Sequence, residues 1–167
     1  MRTRIGLICG CAAAAIAGCG GGGGAHTATH AIHRQSVCLP AARDVVGRAT
    51  GSPVTQKEST GNNAQPQCTF RAGRTAVIAN VDSSPQPFQR LERTVVEYAQ
   101  QFSSVREEPP PQRVARLGLD ADWFPRERQL LTADNRRLIT VTVTWPGASR
   151  AKTKALAVGV ARVYLGR

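Results

Sequence analysis

Five cysteines, three histidines and a few clustered carboxylates are the side chains of this 167-residue sequence with chemistry to offer. The most informative of them is Cys19. It follows Ile16-Ala17-Gly18, one aliphatic and two small residues, at the end of an uncharged, mostly apolar run from Ile5 to Gly18. In that setting the thiol can take a diacylglyceryl group through a thioether. Small residues before it let a membrane-embedded peptidase reach the peptide bond. This is the lipobox pattern of bacterial lipoprotein signals. Cleavage before Cys19 would leave it as the first residue. Two or more acyl chains, at about 0.8 kcal/mol per buried CH₂, anchor a protein stably where a single myristoyl chain does not.

The residues before Cys19 agree with it. Met1-Arg2-Thr3-Arg4 is a short positive start. The apolar run that follows is too short to cross a ~30 Å hydrocarbon core as a helix, which needs about 20 residues, and it has the shape of a secretory signal. The rival readings are a secretory signal cut elsewhere and a retained membrane segment. Cys9 and Cys11 lie inside the run and leave with it.

Cys38 and Cys68 are then the only thiols left, and an exported chain with two such cysteines predicts a disulfide. Free thiols, metal-binding or redox-active, are the alternative, but no Cys-x-x-Cys is present. His26, His30 and His33 are all the histidine in the chain. On a helix they would share a side and could hold zinc or copper. Nothing in their surroundings fixes a helix, so a solvated linker is preferred and no metal or cofactor is expected.

Without histidine beyond His33, Ser-His-Asp and Cys-His catalysis are excluded from the folded part. Carboxylate pairs remain. Asp120 and Asp122 stand beside Trp123, and Glu107 and Glu108 are adjacent. Two carboxylates can share acid–base work. Asp is also a common turn residue, and Arg116, Arg126 and Arg128 are near enough in sequence for surface ion pairs. Trp123 and Phe124 can line a ligand groove or partner surface, or fill the edge of a core.

The elements that must position these groups come from pattern. Gly20 to Gly24 is an unbroken glycine run, which reads as a flexible spacer; no strand precedes it and no Gly-Lys-Ser/Thr follows, so it is no phosphate loop. Pro40 to Ala49 predicts a short helix ended by Gly51. Ser52 to Gln67 reads as a loop. Cys68 to Arg71 and Thr75 to Val81 predict strands joined near Gly73. A helix opening at Ser83-Ser84-Pro85 places Phe88, Leu91, Val95, Ala99 and Phe102 on one face and breaks at Glu107 to Pro111. Val114 to Leu119 reads as a short strand and Asp120 to Pro125 as a turn. Gln129 to Thr132 and Arg137 to Trp145 form a hairpin turning at Asp134-Asn135, with Ile139, Val141, Val143 and Trp145 alternating with threonines. Ala151 to Leu165 closes as a helix with Leu156, Val160 and Val163 inward.

Strand pairs mixed irregularly with helices predict an α+β fold: an antiparallel sheet with helices packed on one face. The divisions expected are a signal peptide over 1–18, a lipidated tether over 19–35 and one small domain over 36–167. The formal charge is +11, with two of the 22 basic residues and none of the 11 acidic ones before Cys19, so the remainder carries +9. That favours anionic lipid, acidic wall polymers or nucleic acid. Arginine, alanine, glycine and proline all have GC-rich codons, however, and the arginines are scattered, so no nucleic acid is expected.

The lipobox, the Cys38/Cys68 pair with Thr50-Gly51 between them, and Gly118-Leu119-Asp120-Ala121-Asp122-Trp123 together resemble small actinobacterial lipoproteins carrying a domain of unknown function. The resemblance runs from about Cys19 to the C-terminus and implies an envelope-associated accessory domain, with no catalytic residue. The expectation is therefore a non-enzymatic binding or interaction domain, tethered by lipid on the outer side of the cell membrane. An envelope protein or a small apolar ligand near Trp123 and Phe124 would be its partner. A glycan hydrolase using Asp120 or Asp122 and an electrostatic binder of anionic wall polymers are the alternatives.

Overall fold

Pro40 begins the first helix of the computed structural model, which describes residues 36–61, 65–83, 85–102 and 109–166. Cys19, the glycine run, the three histidines and the Glu107/Glu108 pair lie outside them. Helix α1 (Pro40–Thr50) has proline where the missing N–H costs nothing, and stops at Gly51, whose φ of 65° is left-handed and whose N–H donates to the Gly47 carbonyl. Ala42 and Val46, one turn apart, are its buried stripe.

The strands are β1 (Thr55–Thr60), β2 (Pro66–Ala72), β3 (Thr75–Asp82), β4 (Gln112–Arg113), β5 (Asp120–Phe124), β6 (Gln129–Ala133) and β7 (Leu138–Thr144). Helix α2 (Pro87–Phe102) separates β3 from β4, and α3 (Arg150–Tyr164) ends the chain. All neighbours pair antiparallel in the order β1-β2-β3-β7-β6-β5-β4. Two meanders, β1 to β3 and β4 to β7, are thus sewn together at the centre by the β3–β7 pair.

The fold is α+β. Alternating residues of the sheet, among them Phe70, Val77, Trp123, Leu130 and Val141, pack with Val46 of α1 and Leu156 and Val160 of α3 in the main core. Full burial of side chains of this size contributes about 1.5–3 kcal/mol each. Ser149 caps α3, its hydroxyl accepting from the Lys152 N–H at 3.3 Å. Helix α2 forms a second, smaller cluster with Leu131, Ala133, Leu138 and Phe124. Leu130 and Leu131 are consecutive strand residues and face opposite ways, so α2 lies on the reverse of the sheet from α1 and α3. Among the described residues no helix is long and apolar enough to cross a membrane.

Three local expectations are corrected. Residues 55–60, expected in a loop, form edge strand β1 with all six side chains exposed. Cross-strand pairing with β2, from Thr55↔Arg71 to Thr60↔Pro66, makes it a strand without any apolar face. Asp120 to Phe124, expected as a turn, is a wholly buried strand, while residues 115–119, expected as a strand, make the turn. On α2 the inward stripe is Leu91, Val95 and Tyr98; Phe88 is 37% exposed and Ala99 faces solvent. The Tyr98 ring meets Phe124 edge-on at 4.8 Å.

The β6–β7 turn is held as its sequence suggests. Asp134 accepts from the Arg136 and Arg137 N–H groups at 2.8 and 2.7 Å and from the Arg137 guanidinium at 2.6 Å. Burial alone would raise its pKa, but these donors hold the carboxyl below its ordinary range.

Gly118 marks the turn before β5. Its φ is 65°, and a Cβ there would lie 2.4 Å from the Ala133 carbonyl oxygen and 2.5 Å from Thr132 Oγ1. Gly118→Ala is expected to cost about 2 kcal/mol or more, combining left-handed strain with displacement of β6 backbone. An unchanged thermal midpoint would contradict this.

Candidate functional site

Strand β5 gathers the carboxylates. Asp120 and Asp122 are two residues apart, so both point to the same side of the sheet. Their side chains are 4% and 9% exposed. Register puts Arg113 of β4 directly opposite Asp122. One guanidinium nitrogen of Arg113 pairs with Asp120 Oδ1 and lies 3.6 Å from Asp122 Oδ2. Asp120 Oδ1 also accepts the Ala121 N–H at 2.7 Å. Behind the pair, the buried Thr132 hydroxyl is 2.9 Å from the Asp120 carbonyl oxygen and 3.3 Å from that of Leu117. These bonds fix the turn to the strand and the strand to β6.

Two buried carboxylates thus share one cation. Asp122 has its pKa raised, chiefly by burial and next by the charge of Asp120, with Arg113 acting in the opposite direction. Two carboxylates this close, one of them made harder to ionise by burial, are an arrangement that general acid–base chemistry can use. Arg113, 65% exposed, is the solvent-facing member of the cluster. No group of three His, Cys, Asp or Glu side chains suited to a metal occurs among the described residues.

The raised pKa has a sign that can be measured. The folded state holds the Asp122 proton more tightly than the unfolded chain, whose ordinary value is 3.8. Above that value the folded state binds more protons, so stability falls as pH rises until the folded carboxyl has also ionised. Asp122→Asn is expected to flatten this part of the stability–pH curve. Identical slopes for the variant and the parent in urea titrations would show that Asp122 does not titrate this way.

Trp123 and Phe124 do not line a groove. They are 1% and 2% exposed, Trp123 in the main core and Phe124 under α2. Helices cover both sides of β5, so both of its alternating sets are buried. The ion-pair partner of the aspartates also differs from the three arginines nearest in sequence. Arg113 holds the pair, while Arg128 donates to the Trp145 carbonyl at 3.1 Å.

Cys38 and Cys68 form the disulfide that the sequence suggests, joining the residues before α1 to β2 with Cα atoms 5.0 Å apart. Close by, the Tyr164 hydroxyl donates to the Val37 carbonyl at 2.5 Å, so the end of α3 closes over the same corner.

A surface feature without a sequence motif lies at the other edge of the sheet. A depression of about 440 Å³ is lined by Thr55, Gln56, Lys57, Ser59, Thr69 and Arg71. Lys57 and Arg71 are fourteen positions apart and meet only through the β1–β2 register. Once β1 is read as a loop, nothing in the sequence brings them together. A second depression of about 440 Å³ lies beside α1, at Arg43, Asp44, Gly47, Arg48, Ser52 and Val54.

Compared with known protein families, curated proteins and solved structures, this chain matches none.

Proposed function

We propose that this chain is an exported lipoprotein of the actinobacterial kind it resembles. Lipid on Cys19 would hold it to the outer side of the cell membrane, and its domain would serve as a non-enzymatic binding module in the envelope. Three features support the reading. Ile16-Ala17-Gly18-Cys19 has the residue types that lipidation requires. The Cys38–Cys68 disulfide suits an oxidising compartment outside the cytoplasm. The observation that carries binding is the polar depression on β1 and β2, where two cations and the hydroxyls of Thr55, Ser59 and Thr69 face outward together. With Trp123 and Phe124 in the core, a polar partner fits better than a small apolar one.

Mass spectrometry of the protein purified from membranes tests the address. A mature N-terminus at Cys19 carrying fatty acyl chains is expected, and Cys19→Ser is expected to abolish membrane retention. A different first residue, or an unmodified Cys19, would overturn the proposal.

One observation favours a hydrolytic second reading, the buried Asp122 with its raised pKa beside Asp120. It requires cleavage of an envelope glycan that Asp122→Asn eliminates while the fold persists. A cleavage rate equal to that of the parent would remove it.

A further inference from the structure

We propose that the outward face of β1 and β2 docks an extended anionic polymer whose charges are phosphodiester groups, with Lys57 and Arg71 as its cationic contacts. This rests on the binding-module reading above and names the occupant and the place.

On β2 the alternate residues Cys68, Phe70 and Ala72 are buried toward α1 and α3, so Thr69 and Arg71 point the other way. Residues directly opposite on neighbouring strands share a face. Thr55↔Arg71 and Lys57↔Thr69 therefore put both cations and two hydroxyls on one outward surface. Glu58, next to Lys57, faces the opposite side, where it accepts from the Ser36 hydroxyl at 2.5 Å. Helix α2 packs over β5, β6 and β7 and leaves this end of the sheet open among the described residues.

Charge decides the kind of occupant. Asp82 pairs with Arg90, Asp134 with Arg137, and Asp120 and Asp122 with Arg113. Lys57 and Arg71 have no ion-pair partner among the described residues. They are diagonal neighbours across the strand pair, roughly 7–8 Å apart at the backbone. At that spacing two long cationic side chains can reach one phosphate or two consecutive ones. The arginine fork matches two phosphate oxygens, the lysine acts as a point charge, and hydroxyls of Thr55, Ser59 and Thr69 can donate to remaining oxygens.

A polymer fits better than a bilayer surface. The contacts lie in a depression, where a chain segment can enter and a flat layer of headgroups cannot. Along a six-residue strand the surface extends roughly 20 Å, enough for several repeats of an extended chain.

Binding of soluble poly(glycerol phosphate) to the purified full-length chain tests this. Two phosphate contacts at about 0.7 counterion each predict roughly a tenfold affinity loss between ~50 and ~300 mM salt. Lys57→Glu with Arg71→Glu is expected to weaken binding at low salt about tenfold or more. Arg43→Glu with Arg48→Glu, the same charge change at the second depression, is expected to change it less than about twofold. Lys57→Gln with Arg71→Gln, expected to weaken binding in the same direction, replaces the reversal pair if circular dichroism shows that pair unfolded.

Equal losses in the two charge-reversal pairs would overturn the site in favour of overall charge. No binding of the polymer by the parent would overturn the occupant. So would site-dependent binding to vesicles of anionic phospholipid without binding to the polymer. If the polymer fails while membrane-purified protein carries another bound molecule, this inference falls and the binding-module reading stands. If Cys19 is unmodified, the membrane address falls whatever the polymer does.

Discussion

Replacing Cys38 and Cys68 together with alanine is expected to lower the stability of the domain by about 3–4 kcal/mol. The bridge spans a sequence separation of 30, and in the chain-entropy account a closed loop of that size removes this much freedom from the unfolded chain. The folded side of the balance adds to the effect. Helix α1 has 11 residues, no side-chain N-cap bond and no acidic residue in its first turn. A helix that short is marginal on its own, so tertiary attachment must hold it. The disulfide provides that attachment two residues before the helix begins. Its other end, Cys68, is fully buried in the main core, which also holds Phe70 and the α1 stripe. Urea denaturation of the parent with and without reductant, beside the double variant, checks the magnitude. Reduced parent and variant should unfold at similarly lowered midpoints, and an unshifted midpoint would mean that the bridge constrains nothing. Such a dependence fits the proposed export, because a bridge of this kind persists in an oxidising compartment and not in a reducing cytoplasm.

Sequence reading succeeded where an element has one wet and one dry face. In β7, Ile139, Val141 and Val143 are buried between threonines that are not, and that period of two is visible without coordinates. The helix Arg150–Tyr164 shows the period of 3.6 through Leu156 and Val160 in the same way, while Val163, expected beside them, is partly buried and Tyr164 is buried. It failed where both faces have the same environment. Strand β1 is exposed at every position and β5 is buried at every position, so neither alternates. For β5 the polar residues misled further. Asp120 and Asp122 have the composition of a turn, and the Arg113 ion pairs and the Ala121 N–H bond to Asp120 offset the cost of their burial in a strand.

The chemistry divides along a related line. The carboxylate pair was legible because its members are two residues apart, although the strand that keeps them on one side was read as a turn. The cationic pair was not, because Lys57 and Arg71 depend on a register that an unrecognised strand provides. The disulfide was legible by elimination: on the expectation that Cys9 and Cys11 leave with a signal peptide and Cys19 is lipidated, two thiols remain. Arg113 was passed over because it precedes the Gly118 turn; the chain doubles back there and brings it opposite Asp122. Contacts made by neighbours in sequence can be read early, whereas those made by folding back wait for the topology.

Trp123→Ala is expected to cost about 3–5 kcal/mol, a large fraction of the stability of a domain this size. The indole is 1% exposed and belongs to the main core with Leu130, Val141, Leu156 and Val160, so truncation leaves a cavity that a seven-stranded sheet cannot readily close around. Two comparisons separate this from a role in recognition. Trp145 is only partly buried at the margin of the same cluster, so Trp145→Ala is expected to cost clearly less. Trp123→Phe keeps most of the volume and should recover a good part of the loss. A surface contact residue behaves in the opposite way: its removal leaves the melting temperature unchanged and weakens binding. If Trp123→Ala melted with the parent, the indole would have to lie outside the core, and the groove expected around Trp123 and Phe124 would regain its place. If it melts far below the parent while Trp123→Phe retains ligand, the binding surface must lie elsewhere, and the depression on β1 and β2 that Lys57 and Arg71 line is the place proposed for it.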